Sequence, residues 1–265
     1  MTFCGREMID THAHLDFPDF DKDRDEAVAR ARDAGVVNII TVGTGLESCR
    51  KAIELSERFA GVYAAVGIHP HDAAKVGEAD ILRLREMARQ PRVVAIGETG
   101  LDFYRNYSPK PAQIQVFKWQ LALAEDLGLP VIIHCREADS DMMNLLRSKR
   151  PYYRGVIHCF RGDADTARVY LEMGFYLSLG AYIGYPSSRN SHDVIRMIPP
   201  ERLLVETDCP FLPPQGHRGE RNEPSYLPVT VKTLAEIRRE TFEDVAKATT
   251  QNAQQLFRLP ITSPS

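Results

Sequence analysis

The sequence predicts a single (β/α)8 barrel. Its 265 residues are close to the roughly 250 that such a barrel needs. Short β-branched runs alternate with longer amphipathic stretches along the chain, the order of a parallel sheet wrapped by helices. After the first run stands His12-Ala13-His14. The rival architecture, a doubly wound open sheet, usually carries a glycine-rich phosphate loop at that point.

The first strand is expected over residues 8–12. Residues 21–34 read as a helix, with Ala27, Val28, Ala31 and Ala34 at helical spacing and Gly35 to stop it. Residues 36–42 read as a strand buried on both faces. A helix over 46–59, a strand over 62–67 and a helix over 78–89 follow. The fourth strand is expected over 93–97. Its helix runs over 111–127, with Pro111 suited to the first turn and Gly128 after the end. The fifth strand covers 131–134 and its helix runs through Arg147. The sixth covers 155–158, with a helix over 163–173. The seventh covers 175–179, with a shorter helix over 192–197. The eighth covers 203–208, and helices over 226–239 and 242–257 follow it. No Gly/Ser linker or charge block divides the chain, so residues 1–265 read as one domain.

Composition narrows the function. Hydrophobic residues make up 43%, charged residues 26%, and the net charge is −3. No basic stretch reads as a nucleic-acid arm; a polyanionic substrate would need bound cations. The N-terminal residues lack the apolar run of a signal peptide, and no stretch has the length of a membrane span. Five cysteines, an odd number without Cys-x-x-Cys, point to a reduced, cytoplasmic setting. The oligomeric expectation is a monomer.

The chemistry gathers at strand ends. Strand side chains alternate faces, so Asp10, His12 and His14 are expected on one face, with the two imidazoles forming a chelate. Strand four ends in Glu98, strand five in His134, strand six in His158 and strand eight in Asp208. In a barrel these ends converge on the C-terminal face, where active sites of this fold lie. Six donors exceed what one tetrahedral ion needs. Two metals sharing Glu98 fit better: one on His12, His14, Glu98 and Asp208, the other on Glu98, His134 and His158. A water between them would ionise near neutral pH and attack, with Asp208 as general base. No lysine stands at the end of strand four to bridge the ions instead. Cys135, Cys159 and Cys209 each follow a proposed ligand, and alternation turns them outward as packing residues.

These residues, in this order, resemble the TatD family of metal-dependent deoxyribonucleases, within the amidohydrolase superfamily. The resemblance spans almost the whole chain. It rests on Ile9-Asp10-Thr11-His12-Ala13-His14-Leu15, Gly67-Ile68-His69-Pro70-His71, Ile96-Gly97-Glu98-Thr99-Gly100-Leu101-Asp102, and Leu129 through Arg136 around His134. It continues in Val156-Ile157-His158-Cys159-Phe160, Leu204-Val205-Glu206-Thr207-Asp208, Arg221-Asn222-Glu223-Pro224 and Thr249-Thr250-Gln251-Asn252-Ala253. It implies a (β/α)8 barrel, two or more divalent metals, and phosphodiester hydrolysis in DNA, often from a 3′ end. The same six ligands carry over. The run Gly180-Ala181-Tyr182-Ile183-Gly184-Tyr185 departs from the family pattern and bears on substrate preference.

Outside the ligands, His69 is a candidate to touch a substrate phosphate or leaving oxygen, while His71 reads as structural or solvated. Arg136, two residues after His134, could fork onto a phosphate or pair with Glu98 or Asp102. Glu206 could orient a ligand or hold a third metal, or pair with an arginine; Asp102 is placed with it behind the ligands. Phe103, Tyr104 and Tyr107 could stack on a terminal base or simply pack. Arg218, Arg221, Asn222 and Glu223 could line the groove. His192 and His217 are expected at the surface.

The leading expectation is therefore a metal-dependent nuclease acting on single-stranded DNA ends. The ligand chemistry leaves zinc, manganese, magnesium and nickel open. A small-molecule amidohydrolase acting on an amide, lactone or phosphotriester would use the same centre. A metal-containing binding barrel without turnover is the third reading.

Overall fold

The computed structural model describes residues 7–148 and 153–260; the N-terminal segment with Cys4 lies outside them. Among the described residues, eight strands follow one another around the sheet in chain order. They are β1 (Met8–Ala13), β2 (Val36–Val42), β3 (Val62–Val66), β4 (Val93–Asp102), β5 (Val131–Arg136), β6 (Gly155–Ile157), β7 (Tyr176–Leu179) and β8 (Leu203–Val205). Neighbouring strands pair in parallel. Just past β8 the sheet closes on β1. Asp208 N donates to His12 O at 2.8 Å, and His14 N donates to Cys209 O at 2.8 Å. The expected barrel is the fold.

The surrounding helices are α1 (Arg24–Asp33), α2 (Leu46–Arg58), α3 (Glu78–Ala88), α4 (Lys110–Leu127), α5 (Asp139–Arg147), α6 (Ala164–Glu172), α7 (His192–Met197), α8 (Leu227–Arg238) and α9 (Phe242–Phe257). No helix of the described residues is long and apolar enough to cross a membrane. Ile9, Ile40, Ala65, Ala95, Ile132, Val156, Tyr176 and Leu204, one from each strand, form a single apolar cluster with Ala253, Leu256 and Phe257 of α9. The helix therefore caps the N-terminal end of the barrel core, and the C-terminal end is left for polar groups. A larger cluster fills the layer between strands and helices.

Three boundaries differ from expectation in ways that shape the site. Strand β4 does not stop at Gly97 but continues to Asp102. It can do so because Gly100, at φ +142°, has no side chain: a Cβ there would lie 2.0 Å from the carbonyl oxygen of His134. Strands β6 and β8 end before His158 and Asp208, and Asp208 takes a left-handed φ of 55°. On β1 the pairing with β2 shifts register between Asp10 and Ala13. A slip of this kind disturbs simple alternation; His12 and His14 still meet, their Nε2 atoms 3.2 Å apart, while Asp10 is put to another use. Asp10 is taken by the far side of the closure, accepting from Thr207 N at 3.0 Å and Thr207 Oγ1 at 2.6 Å.

Arg221 and Glu223, expected in the groove, are consumed in holding the fold. Arg221 forks onto Asp23 at 2.6 and 2.8 Å. Arg30 forks onto Glu223 at 2.8 and 2.6 Å. Together they tie the segment after β8 to α1. Asn222 between them is buried and also structural: its amide donates to Thr207 O at 2.8 Å and Phe211 O at 2.6 Å. It braces the turn that carries Asp208.

Two glycines separate steric from conformational cost. Gly128 ends α4 at φ +65° with open space around its missing Cβ, so Gly128→Ala should cost only about 1 kcal/mol, the left-handed penalty. Gly100→Ala also drives a methyl into the β5 backbone and should cost on the order of 3 kcal/mol or more. Denaturant melts of both variants test this; equal losses would contradict the close approach of β4 and β5.

Candidate metal centre

The C-terminal mouth of the barrel brings the six predicted ligands together. The Nε2 atoms of His12 and His14 are 3.2 Å apart. They lie 3.6 and 3.8 Å from Glu98 Oε2, and 3.8 and 3.6 Å from Asp208 Oδ1. On the other side, Glu98 Oε1 lies 2.9 Å from His134 Nδ1 and 2.9 Å from His158 Nε2, and those two nitrogens are 3.3 Å apart. The two oxygens of Glu98 thus divide the donors into two groups.

Tautomers decide whether these groups suit cations. His14 Nδ1 is 2.8 Å from the carbonyl oxygen of Val42, so it carries the hydrogen and a neutral ring turns a lone pair toward His12. His134 Nε2 is 3.0 Å from Asp102 Oδ2, so its Nδ1 lone pair faces Glu98. Lone pairs at such distances repel unless positive charge lies among them. Around a tetrahedral ion with bonds of about 2.0–2.1 Å, neighbouring donors are about 3.3 Å apart, the middle of the observed spacings. The residues fit divalent metal.

The electrostatics agree. Burial pushes Glu98 up, but the surrounding imidazoles, His69 and His158 foremost, and hydrogen bonds from His12 and His134 hold it well below the carboxylate range. Asp208 is likewise raised by burial but brought down by the His14 hydrogen bond and nearby imidazole charge. Burial lowers His14, yet Asp208 and Glu98 outweigh it and lift the ring to about 9. Glu98 and Glu206 similarly lift His158 against the effect of burial. His12 is lowered, by burial and then by His158. This is a field that holds positive charge; without metal, protons take that place.

Behind the ligands stand two carboxylates. Asp102 accepts from Tyr104 N at 3.1 Å and Arg105 N at 2.8 Å, and its other oxygen meets His134 and His71, each at 3.0 Å. His71 thus shares a buried partner with His134. Glu206 is fully buried and forms no ion pair with an arginine among the described residues. Its Oε1 accepts from Cys159 N at 2.7 Å and lies 3.5 Å from His158 Nδ1. Its Oε2, His12 Nδ1 and His158 Nδ1 are all buried without a hydrogen-bond partner. A ligand oxygen of Glu206 and nitrogens of His12 and His158 cluster within 4.8 Å. Once both Nε2 atoms face metal, each Nδ1 carries a hydrogen that needs an acceptor, and Glu206 is the acceptor at hand.

The remaining candidates divide. His69 stands beside the centre, its Nε2 3.4 Å from Glu98 Oε1 and its Nδ1 accepting from His71 N at 3.2 Å. Arg136 lies at the exposed end of β5 with its guanidinium 4.0 Å from the Tyr104 ring centroid. It has no carboxylate partner among the described residues. Arg218 stacks on Tyr185 at 4.6 Å and is not in the wall of the central cavity. Tyr107 meets His71 edge-on at 4.7 Å, and Phe103 lies under Lys110. His217 stacks on Tyr226 and pairs with Glu220. His192 is half-buried, 3.2 Å from the carbonyl oxygen of Ile183.

Among the described residues no cysteine joins the donor groups, but Cys135 and Cys159 line the cavity beside them rather than turning outward as expected. Cys135 Sγ lies near Asp139 and the Tyr170 hydroxyl, at 3.5 and 3.6 Å. Cys159 follows the end of β6 at φ 48°, where strand alternation no longer applies. Sequence reasoning passed over Phe211, half-exposed at the mouth and edge-on to His14 and Phe17, and Asp16, whose buried Oδ2 accepts from Ser48 at 2.6 Å. No spacing signal marks either residue.

A barrel that aims so many imidazoles and carboxylates at one mouth belongs among the metal-dependent hydrolases. Residues 9–258 match the family model described as TatD related DNase, and the chain belongs to the TatD family. It is 42% identical over 253 residues to the uncharacterized metal-dependent hydrolase YabD of Bacillus subtilis (strain 168), covering 95% of this chain and 99% of that protein. It is 40% identical over 263 residues to the 3′-5′ ssDNA/RNA exonuclease TatD of Musicola paradisiaca (strain Ech703), covering 95% and 98%. The crystal structure of YJJV, a TATD homolog from Escherichia coli k12, superposes with a TM-score of 0.89 at 33% identity, covering 97% of this chain and 100% of that one.

Two measurements probe the centre. Glu206→Gln should weaken metal binding by roughly 10–100-fold, as loss of a partner behind a ligand does, while the melting temperature moves little. Unchanged affinity would remove Glu206 from the centre. Loading metal must also displace protons from imidazoles that the carboxylates hold charged, His14 up to about 9. Affinity should therefore fall as pH falls below that value, by up to about tenfold per pH unit for each displaced proton. Competition titrations at several pH values should show this slope; a flat profile would contradict it.

Proposed function

We propose that this enzyme hydrolyses phosphodiester bonds at the ends of single-stranded nucleic acid, releasing nucleotides in the 3′ to 5′ direction. The observation that carries the reading is the wall beside the donor groups. Arg136 and Arg105 line it, and neither has a carboxylate partner among the described residues. Elsewhere Arg24, Arg30 and Arg221 are spent on carboxylates. Free guanidinium groups beside a cation-holding centre suit a phosphate. The 40% identity to a 3′-5′ ssDNA/RNA exonuclease supports the same choice, and leaves both DNA and RNA as substrates.

Two divalent ions, one on His12, His14, Glu98 and Asp208 and the other on Glu98, His134 and His158, would supply Lewis acidity and an ionisable water. The chain's own residues do the rest. Glu98 divides its two oxygens between the donor groups and fixes their separation. Asp208, held ionised by His14 and His12, orients the attacking water and accepts its proton. The His69 ring, neutral and with its hydrogen on Nε2 because Nδ1 accepts from His71 N, donates to a phosphoryl or leaving oxygen. Asp102 and Glu206 hold the tautomers of His134, His12 and His158. The cavity above the centre has a volume of about 440 Å3 and is walled by Phe17, His71 and Phe211 among others. A chain end fits such a pocket more readily than the middle of a stiff duplex.

The expected behaviour is loss of activity with chelator, recovery with divalent metal, and digestion of linear single strands at least about tenfold faster than the same strands circularised. Gel assays with end-labelled DNA and RNA measure this. Circles degraded as fast as linear strands would place cleavage internally and overturn the end-pocket reading.

A further inference from the structure

Beside the central cavity lies a second one of about 600 Å3. The two share His134, Arg136, His158, Asp208 and Phe211 as a common wall. Its outer side holds Arg161, a residue to which the sequence patterns attach no role. The Arg161 guanidinium lies 4.4 Å from the centroid of the Tyr182 ring. Tyr182 is itself buried and donates its hydroxyl hydrogen to the carbonyl oxygen of Phe160. The cation therefore rests on a fixed plane, as Arg136 rests on Tyr104, and less freedom is lost when either one grips an anion. Among the described residues Arg161, like Arg136, forms no ion pair. Of the carboxylates along this cavity, Asp208 faces His12 and His14 in the donor groups and forms no ion pair with Arg161, Asp139 is occupied by the Tyr170 hydroxyl at 3.0 Å, and Glu137 stands exposed. Tyr182 comes from the turn Ala181–Gly184, within the segment whose sequence departs from the family pattern.

We propose that this second cavity binds the phosphate next along the chain from the one being cleaved, held by Arg161 and Arg136. The proposal rests on the phosphodiesterase reading above. Two anion-holding places that share a wall, one at the metal centre and one at seated arginines, match a polymer with a phosphate at each repeat. A substrate with a single phosphate leaves the second place unused. The segment after β7, by seating Arg161, then tunes how strongly the enzyme prefers longer chains.

The test compares kcat/KM on a dinucleoside monophosphate, with one phosphodiester, and on the trinucleoside diphosphate of the same bases. Both are assayed with metal-loaded wild type, Arg161→Gln and Arg161→Lys. Wild type should prefer the longer compound by about tenfold, mainly through KM, the scale of one charge-assisted contact. Arg161→Gln should bring that ratio close to one, and Arg161→Lys should restore part of it. A variant damaged only in its fold loses rate on both compounds alike and keeps the ratio, which would overturn the proposal. So would a wild type that cleaves both without preference. A wild type that cleaves no oligonucleotide with any metal, yet hydrolyses a lactone or small ester, would overturn the phosphodiesterase reading and this site with it.

Discussion

Six side chains that point their donor atoms at one another in a place that excludes most water are unstable unless positive charge lies among them. That constraint organises the C-terminal half of this barrel. Glu98 stands at its centre, with one oxygen toward His12 and His14 and the other toward His134 and His158. Much around it serves to hold that arrangement. Gly100 lets β4 run on against β5 so that Asp102 reaches His134. Asn222 pins the carbonyls of the turn bearing Asp208. Thr207 and Asp10 lock that turn to β1. The apolar end of the barrel, capped by α9, has no comparable demand and is filled by packing alone.

The charge balance follows from the same constraint. A chain with net charge −3 lacks the broad positive surface that holds duplex nucleic acid. Attraction for an anion has to be local. In the proposed reading it would come from the donor groups once they hold cations and from Arg136 and Arg161, seated on the Tyr104 and Tyr182 rings. The remaining arginines described above mostly close the fold: Arg30 and Arg221 join α1 to the segment after β8 rather than meeting substrate.

The barrel and the donor set were legible because both depend on local patterns. Alternating short and long periodic stretches announce the fold, and a chemically distinctive residue at each strand end announces the centre. What escaped depends on contacts between elements. Gly97 reads as a strand end, yet at Gly100 the missing side chain is what lets the strand continue. Asp208 was placed inside a strand, but its left-handed backbone puts it past the end. Asn222, Arg221 and Glu223 have the composition of a binding loop, and only their partners across the fold reveal them as braces. Arg161 needed Tyr182, distant in sequence, before its guanidinium could be seen as held. Glu206 could be placed behind the ligands, but its service to both histidines at once appears only in three unpartnered buried atoms.

The place of Glu98 is tested most directly by metal content from elemental analysis after equilibration with excess divalent ion and removal of the unbound fraction, for wild type and Glu98→Gln. A carboxylate with one oxygen in each donor group would spread its charge over two ions, and an amide would not. Wild type should hold two ions per chain and the variant at most one, with the fold intact by melting. Two ions retained by the variant would contradict the central place given to Glu98.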